Sequence, residues 1–193
     1  QFNIYNKSEF LSILYEKNMV AEYDKNIINK VCSRYQLINQ PIIVMISISS
    51  EFINSLDHIR WLGNKLEELA KNENIKLCFT VKDSVAQNEL EKVLQFAKLV
   101  HRLKHYIALS GFTLDKEKLS YLQRLRPRYI LLNQDYIEAL YSEDKTKVKA
   151  INFMIHEVNA KTIVSYMSDP KMVMMMDELD IDYLLSSNYK GEF

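Results

Sequence analysis

Six short apolar runs, separated by stretches with helical period, leave this chain few folds to choose from. The runs are IIVMISI (42–48), IKLCFTV (75–81), YIALS (106–110), RYILL (128–132), TIVSY (162–166) and DYLL (182–185). Each has strand length and reads as a strand buried on both faces. Between them, Ile59, Leu62, Leu66 and Leu69 fall on one helical face. So do Leu90, Val93, Leu94, Ala97 and Val100, and again Val148, Ile151, Ile155 and Val158. Asp169-Pro170 offers an N-cap followed by a proline at the first helical position, which opens a helix through KMVMMMDEL. Two further helices, near 8–16 with Ser8 as N-cap and over 23–35, precede the first run. Buried strands alternating with helices predict parallel βαβ units, either in an open doubly wound sheet or in part of a (β/α)8 barrel. In both folds ligands gather at the carboxyl ends of the strands.

Composition narrows what such a fold could meet. At 193 residues the chain is expected to form one domain over 1–193. Lysine plus arginine and aspartate plus glutamate number 25 each, so no net positive field draws a nucleic acid polymer or an anionic membrane. The longest apolar runs are too short for membrane insertion. Cys32 and Cys78 lie far apart in unlike contexts, which argues against a disulfide and fits a reducing cytoplasm. The start at Gln1 rather than a methionine suggests a fragment or processed product. With three glycines and three prolines, connections are expected to be short and no linker is visible.

One stretch carries more than periodicity. YIALSGFTLDKEKLSYLQRLRPRYILLN (106–133) resembles the EAL-domain family, the cyclic-di-GMP phosphodiesterases, where it reads I-A-L-D-D-F-G-T-G-Y-S-S-L-S-Y-L-K-R-L and then D-Y-L-K-I-D. Ile107-Ala108-Leu109, Phe112, Leu119-Ser120-Tyr121-Leu122, Arg124-Leu125 and Tyr129 match without a gap. ISISSEF (46–52) is similar to the family's V-N-L-S strand end, and LCFTVKDS (77–84) to L-E-L-E-I-T-E-S. KTIVSYMS (161–168) is similar to K-V-I-A-E-G-V-E, and IDYLLSS (181–187) to C-D-Y-V-Q-G-Y. The resemblance implies a partial or modified TIM-like (β/α)8 barrel with its last six parallel strands visible. The first two, including the strand that carries E-A-L, would lie upstream of Gln1 or be absent. The exposed edges of such a partial barrel are expected to be covered by an added segment, a partner or a second copy.

The resemblance also implies a site, and the chain departs from it consistently. The family's metal-binding asparagine falls on Ser47 and the glutamate of the next strand on Thr80. The two aspartates fall on Ser110 and Gly111, and the lysine that assists the attacking water on Leu131. The glutamates of A-E-G-V-E become Ser165 and Ser168, and the glutamine of Q-G-Y becomes Leu185. One acid remains, Asp83, at the glutamate of I-T-E. Divalent cations that activate water need oxygen ligands that offset their charge, and neutral hydroxyls and leucines do not supply it. The expectation is therefore no enzyme, no catalytic residue, no metal and no cofactor. The role implied is recognition or regulation in bacterial signalling, through a protein partner, another domain of the same chain or a homodimer. Cyclic-di-GMP binding is not expected, and a non-hydrolysing receptor is the alternative.

Other features point to structure first. His101 and His105 have the spacing of a zinc pair but lack the accompanying glutamate, so they are expected on a polar helix face. His58 and His156 look isolated, on the surface or half-buried. Arg124, Arg126 and Arg128 surround Pro127 where a helix should end, where cations favour the helix dipole. Met172, Met174, Met175 and Met176 crowd one short helix, more than one core stripe can use, and make it the candidate interaction surface.

Overall fold

The computed structural model describes residues 7–35, 39–112, 118–132, 145–166 and 178–186. The chain divides into two compact units, one of Gln1–Val81 with Glu91–Tyr106, the other of Lys82–Leu90 with Ile107–Phe193.

The first unit opens with helices α1 (Lys7–Glu16) and α2 (Val20–Tyr35). Strand β1 (Ile42–Ser47) follows, then helices α3 (Ser50–Asn54) and α4 (Leu56–Leu69), strand β2 (Ile75–Lys82) and helix α6 (Leu90–Arg102). Strands β1 and β2 pair in parallel, from Ile42 opposite Ile75 to Ser47 opposite Thr80. The anticipated helical faces are the ones that pack. Leu62, Leu66 and Leu69 of α4 are buried, as are Val93, Leu94, Ala97 and Val100 of α6. Phe79 of β2 meets Phe96 of α6 edge to face at 5.6 Å between ring centres. Strand β1 differs from the fully buried strand expected. Ile43 and Met45 are 42% and 37% exposed on one face, while Ile46 on the other is buried.

The second unit takes in the short helix α5 (Asp83–Asn88) and strand β3 (Tyr106–Phe112). After these come helix α7 (Lys118–Leu125), strand β4 (Tyr129–Leu132), helix α8 (Thr146–Glu157) and strands β5 (Lys161–Tyr166) and β6 (Tyr183–Ser186). Strands β3, β4, β5 and β6 pair in parallel with their chain neighbours. Strand order follows chain order in each unit, without the reversal that marks a doubly wound sheet. That leaves the barrel type of the two anticipated folds. Ile107, Leu109, Ile130 and Val164 from the strands and Leu122, Leu125, Val148, Ile151 and Ile155 from the helices form its core.

Helix α1 begins at Lys7, so Ser8 lies inside the helix rather than capping it. The helix expected from Asp169-Pro170 lies outside the described residues. Among the described residues, no helix is long and apolar enough to cross a membrane.

Candidate functional site

The positions singled out in the sequence fall at the carboxyl ends of strands, and each unit can be built up separately. In the first unit Ser47 and Thr80 are register partners at the ends of β1 and β2. Ser47 is exposed and Thr80 buried, and the backbone N–H of Ile48 donates to the Thr80 carbonyl at 3.0 Å. Just beyond, the chain is tied down by Asp24 of α2. Its Oδ2 accepts the backbone N–H of Ser49 at 2.8 Å and the Ser49 hydroxyl at 2.6 Å. The same hydroxyl oxygen caps α3 by accepting from Phe52 N–H at 3.2 Å. Burial pushes the Asp24 carboxyl above its ordinary range, the Ser49 hydrogen bonds counter it only in part, and Glu51 adds to the rise.

In the second unit the surviving acid is not free. Asp83 is 3% exposed at the start of α5. Its Oδ1 accepts the Tyr121 hydroxyl of α7, and its Oδ2 accepts Gln87 Nε2 at 2.7 Å. Burial, with Asp83 beside it, pushes the Tyr121 phenol far above its ordinary range. Ser110 and Gly111 lie just before the end of β3 at Phe112, where the register slips between Ser110 and Phe112. Gly111 makes the slip possible because its φ of +67° is strained for a side-chain-bearing residue. Ser110 pairs with Leu131, Leu131 with Ile163, and Ile163 with Tyr183, so these four share a row across the sheet. Leu131 is half-buried between Ser110 and Ile163. Ser165 pairs with Leu185 two residues further along the same pair of strands. Ser168, Met172, Met174, Met175 and Met176 lie outside the described residues.

The positions that the resemblance implies carry little charge in either unit. Ser47, Thr80, Ser110 and Ser165 bring no charge, Gly111 and Leu131 bring no side-chain ligand, and both oxygens of Asp83 are held inside the protein.

The model of the family described as "EAL domain" matches residues 2–185. This chain belongs to the EAL-domain family. Its fold is the partial TIM-like barrel of that family, as the solved EAL structures bear out. The EAL domain of FimX from Pseudomonas aeruginosa bound to c-di-GMP superposes with a TM-score of 0.82 at 18% identity, over 95% of this chain and 75% of that one. The structure described as Vibrio cholerae LapD S helix-GGDEF-EAL bound to c-di-GMP gives a TM-score of 0.80 at 21% identity over 93% of this chain. This EAL chain spans less than half of that LapD chain, 44%. The structure described as PaMucR phosphodiesterase in a c-di-GMP complex gives 0.80 at 16% identity, over 92% and 79% of the two chains. No curated protein matches the sequence.

The histidine readings need correction. His105 is not on a helix face, because α6 ends at Arg102 and Lys104 turns the chain with a φ of 61°. Its buried ring accepts the backbone N–H of Leu77 at 3.1 Å through Nδ1, so that nitrogen is closed to zinc. Burial, with Lys76 nearby, pushes its pKa down to about 4. His58 is not isolated, since its ring lies 2.7 Å from Ser55 Oγ and 3.0 Å from Glu22 Oε1. His156 meets Asp182 and Asp180. The arginine reading holds for Arg124, in the last turn of α7, and Arg126 continues with a left-handed φ of 51°. Sequence reasoning passed over Asp24, Tyr121 and Asp182. Tyr121 stood within the family-like Leu-Ser-Tyr-Leu and Asp182 within Asp-Tyr, but neither motif says what its side chain grips.

Proposed function

We propose that this EAL domain is a catalytically inactive recognition module of a bacterial signalling protein, acting on a protein partner or on another domain of its own chain. The observation that carries the reading is Asp83. It is the one acid kept at the compared positions, and its two oxygens serve Tyr121 and Gln87. Leucine in place of the lysine cannot deliver or accept a proton, and the serines and glycine cannot offset a dication. The 193 residues act as a single domain in this reading, in the cytoplasm, with the Met172–Met176 segment as the contact surface.

The test is incubation with cyclic-di-GMP and Mn²⁺ or Mg²⁺, followed by chromatography. The dinucleotide is expected to stay intact, and linear product in proportion to protein would overturn the reading. A second reading, a non-hydrolysing cyclic-di-GMP receptor, is favoured by the likeness to structures described as c-di-GMP complexes. Calorimetric titration separates the two. Saturable binding at unit stoichiometry without turnover selects the receptor, and a flat titration selects the module that recognises protein.

A further inference from the structure

Three polar side chains on one face of α8 and its cap grip the segment Glu178–Ser186. Lys145, Asn152 and His156 are spaced seven and four residues apart, which places them along one side of the helix. Lys145 Nζ lies 2.6 Å from Glu178 Oε2. Asn152 Nδ2 donates to the carbonyls of Leu179, at 3.0 Å, and of Asp180. The His156 ring has Nε2 2.9 Å from Asp182 Oδ2 and Nδ1 3.4 Å from Asp180 Oδ2. Strand β5 grips the same point from its other side. Lys161 Nζ reaches Asp182 Oδ1 at 2.9 Å, and Thr162 donates to Oδ2 from its backbone at 2.8 Å and its hydroxyl at 3.2 Å.

Apolar fastening is thin by comparison. Among the side chains described in this segment only Leu179 and Ile181 are buried, while Leu184 is half-buried and Tyr183 is 44% exposed. Strand β3 of the same unit buries Ile107, Ala108, Leu109 and Phe112 completely. A four-residue strand with one described strand neighbour and few buried apolar groups belongs to the low end of local stability.

We propose that Glu178–Ser186 is a detachable strap, fastened chiefly by the polar contacts of residues 178–182, which opens while the rest of the second unit stays folded. Opening would carry Leu185 away from Ser165 and so couple a clasp at the start of β6 to the candidate site at its end. This inference stands apart from the proposed function and survives its failure.

The groups that face the clasp are His156, Lys145 and Lys149 from α8, Lys161 from β5, Arg128 ahead of β4, and Glu178, Asp180 and Tyr183 from the strap itself. Burial alone would raise the Asp182 carboxyl, but Thr162, His156 and Lys161 overcome it and hold its pKa at about 2. Fastening by Asp182 is therefore complete above the ordinary carboxylate range and is lost as pH falls toward that value.

Native-state hydrogen exchange on the whole chain, across a denaturant series below unfolding, tests the strap. Amides of 183–186 are expected to open with little denaturant dependence and faster than those of 129–132, which require global unfolding. Asp182→Asn is expected to raise strap opening about tenfold, the effect of losing one charge-assisted hydrogen bond. If that variant does not fold, Thr162→Val removes the hydroxyl contact and should act in the same direction. Strap amides that share the opening constant and denaturant slope of 129–132 would overturn the proposal. So would strap opening unchanged by either substitution.

Discussion

Asp24 in the first unit and Asp182 in the second are both carboxylates gripped by hydrogen bonds, yet their environments push them in opposite directions. Asp24 takes two hydrogen bonds from one residue, Ser49, and Glu51 adds like charge nearby. Burial wins there, and the pKa of the carboxyl rises. Asp182 gathers donors from three residues, two of them able to carry positive charge, and the ionised form wins despite burial. Asp182 has the larger set of donors, led by the Thr162 backbone N–H, with His156 and Lys161 added, and together they outweigh its burial.

The largest effect expected from this contrast is at Asp182. Replacing it by asparagine at neutral pH removes the charge that His156 and Lys161 face, and should cost about 1.4 kcal/mol of unfolding free energy, the same tenfold expected of the strap. Urea unfolding at neutral pH measures it. A cost below about 0.5 kcal/mol would put Asp182 with ordinary surface residues and erase the contrast.

The pH profiles sharpen the same comparison. Asp182 has a depressed pKa in the folded state, so its contribution is present above the unfolded value and fades as pH falls through about 2. Asp24 has a raised pKa, so its contribution is present below the unfolded value and is lost as pH rises through the folded one. Stability of the parent minus that of Asp182→Asn should shrink toward acid. Parent minus Asp24→Asn should grow toward acid. Difference curves with the same slope would mean that burial does not govern the Asp24 carboxyl.

At neutral pH, Asp24→Asn should lie within about 1 kcal/mol of the parent, because an amide oxygen can still accept from Ser49 without the cost of a buried charge. The melting curve of this variant beside that of Asp182→Asn is the most direct check. A loss as large as that of Asp182→Asn would show that the ionised form of Asp24 is what Ser49 needs.

Much of this molecule was legible before any coordinates, and the boundary between legible and hidden is physical. The six apolar runs became β1 to β6 because a short apolar run leaves a local trace in composition, even where one face is exposed, as in β1. Helices α3 and α5, five and six residues long, are too short to display a period, and α3 instead depends on Ser49 as its cap. His105 was misplaced because a spacing of four suggests a helix only while the helix continues, and it stops at Arg102. The candidate-site positions rest on motif order alone. The grip on Asp24 comes from 25 residues away and that on Asp182 in part from 20, and no local pattern encodes such pairings.

The smallest effect expected is at Glu178. Its carboxyl is held below the ordinary range, first by the hydrogen bond from Lys145 and then by that residue's charge. Theirs is the closest ion pair in the clasp, 2.6 Å, but the Glu178 side chain is 51% exposed against 16% for Asp182. Water and salt screen an exposed pair, and two long side chains lose freedom to hold it. Glu178→Gln should therefore melt closest to the parent of the three carboxylate variants, and what difference remains should vanish in high salt. The direction with pH matches that of Asp182, present above the unfolded carboxylate value and lost toward acid. Parallel melts of the three variants in low and high salt read this out. A Glu178→Gln loss that equals that of Asp182→Asn and persists in salt would mean that the converging cations, and not shelter from water, set what a carboxylate contributes here.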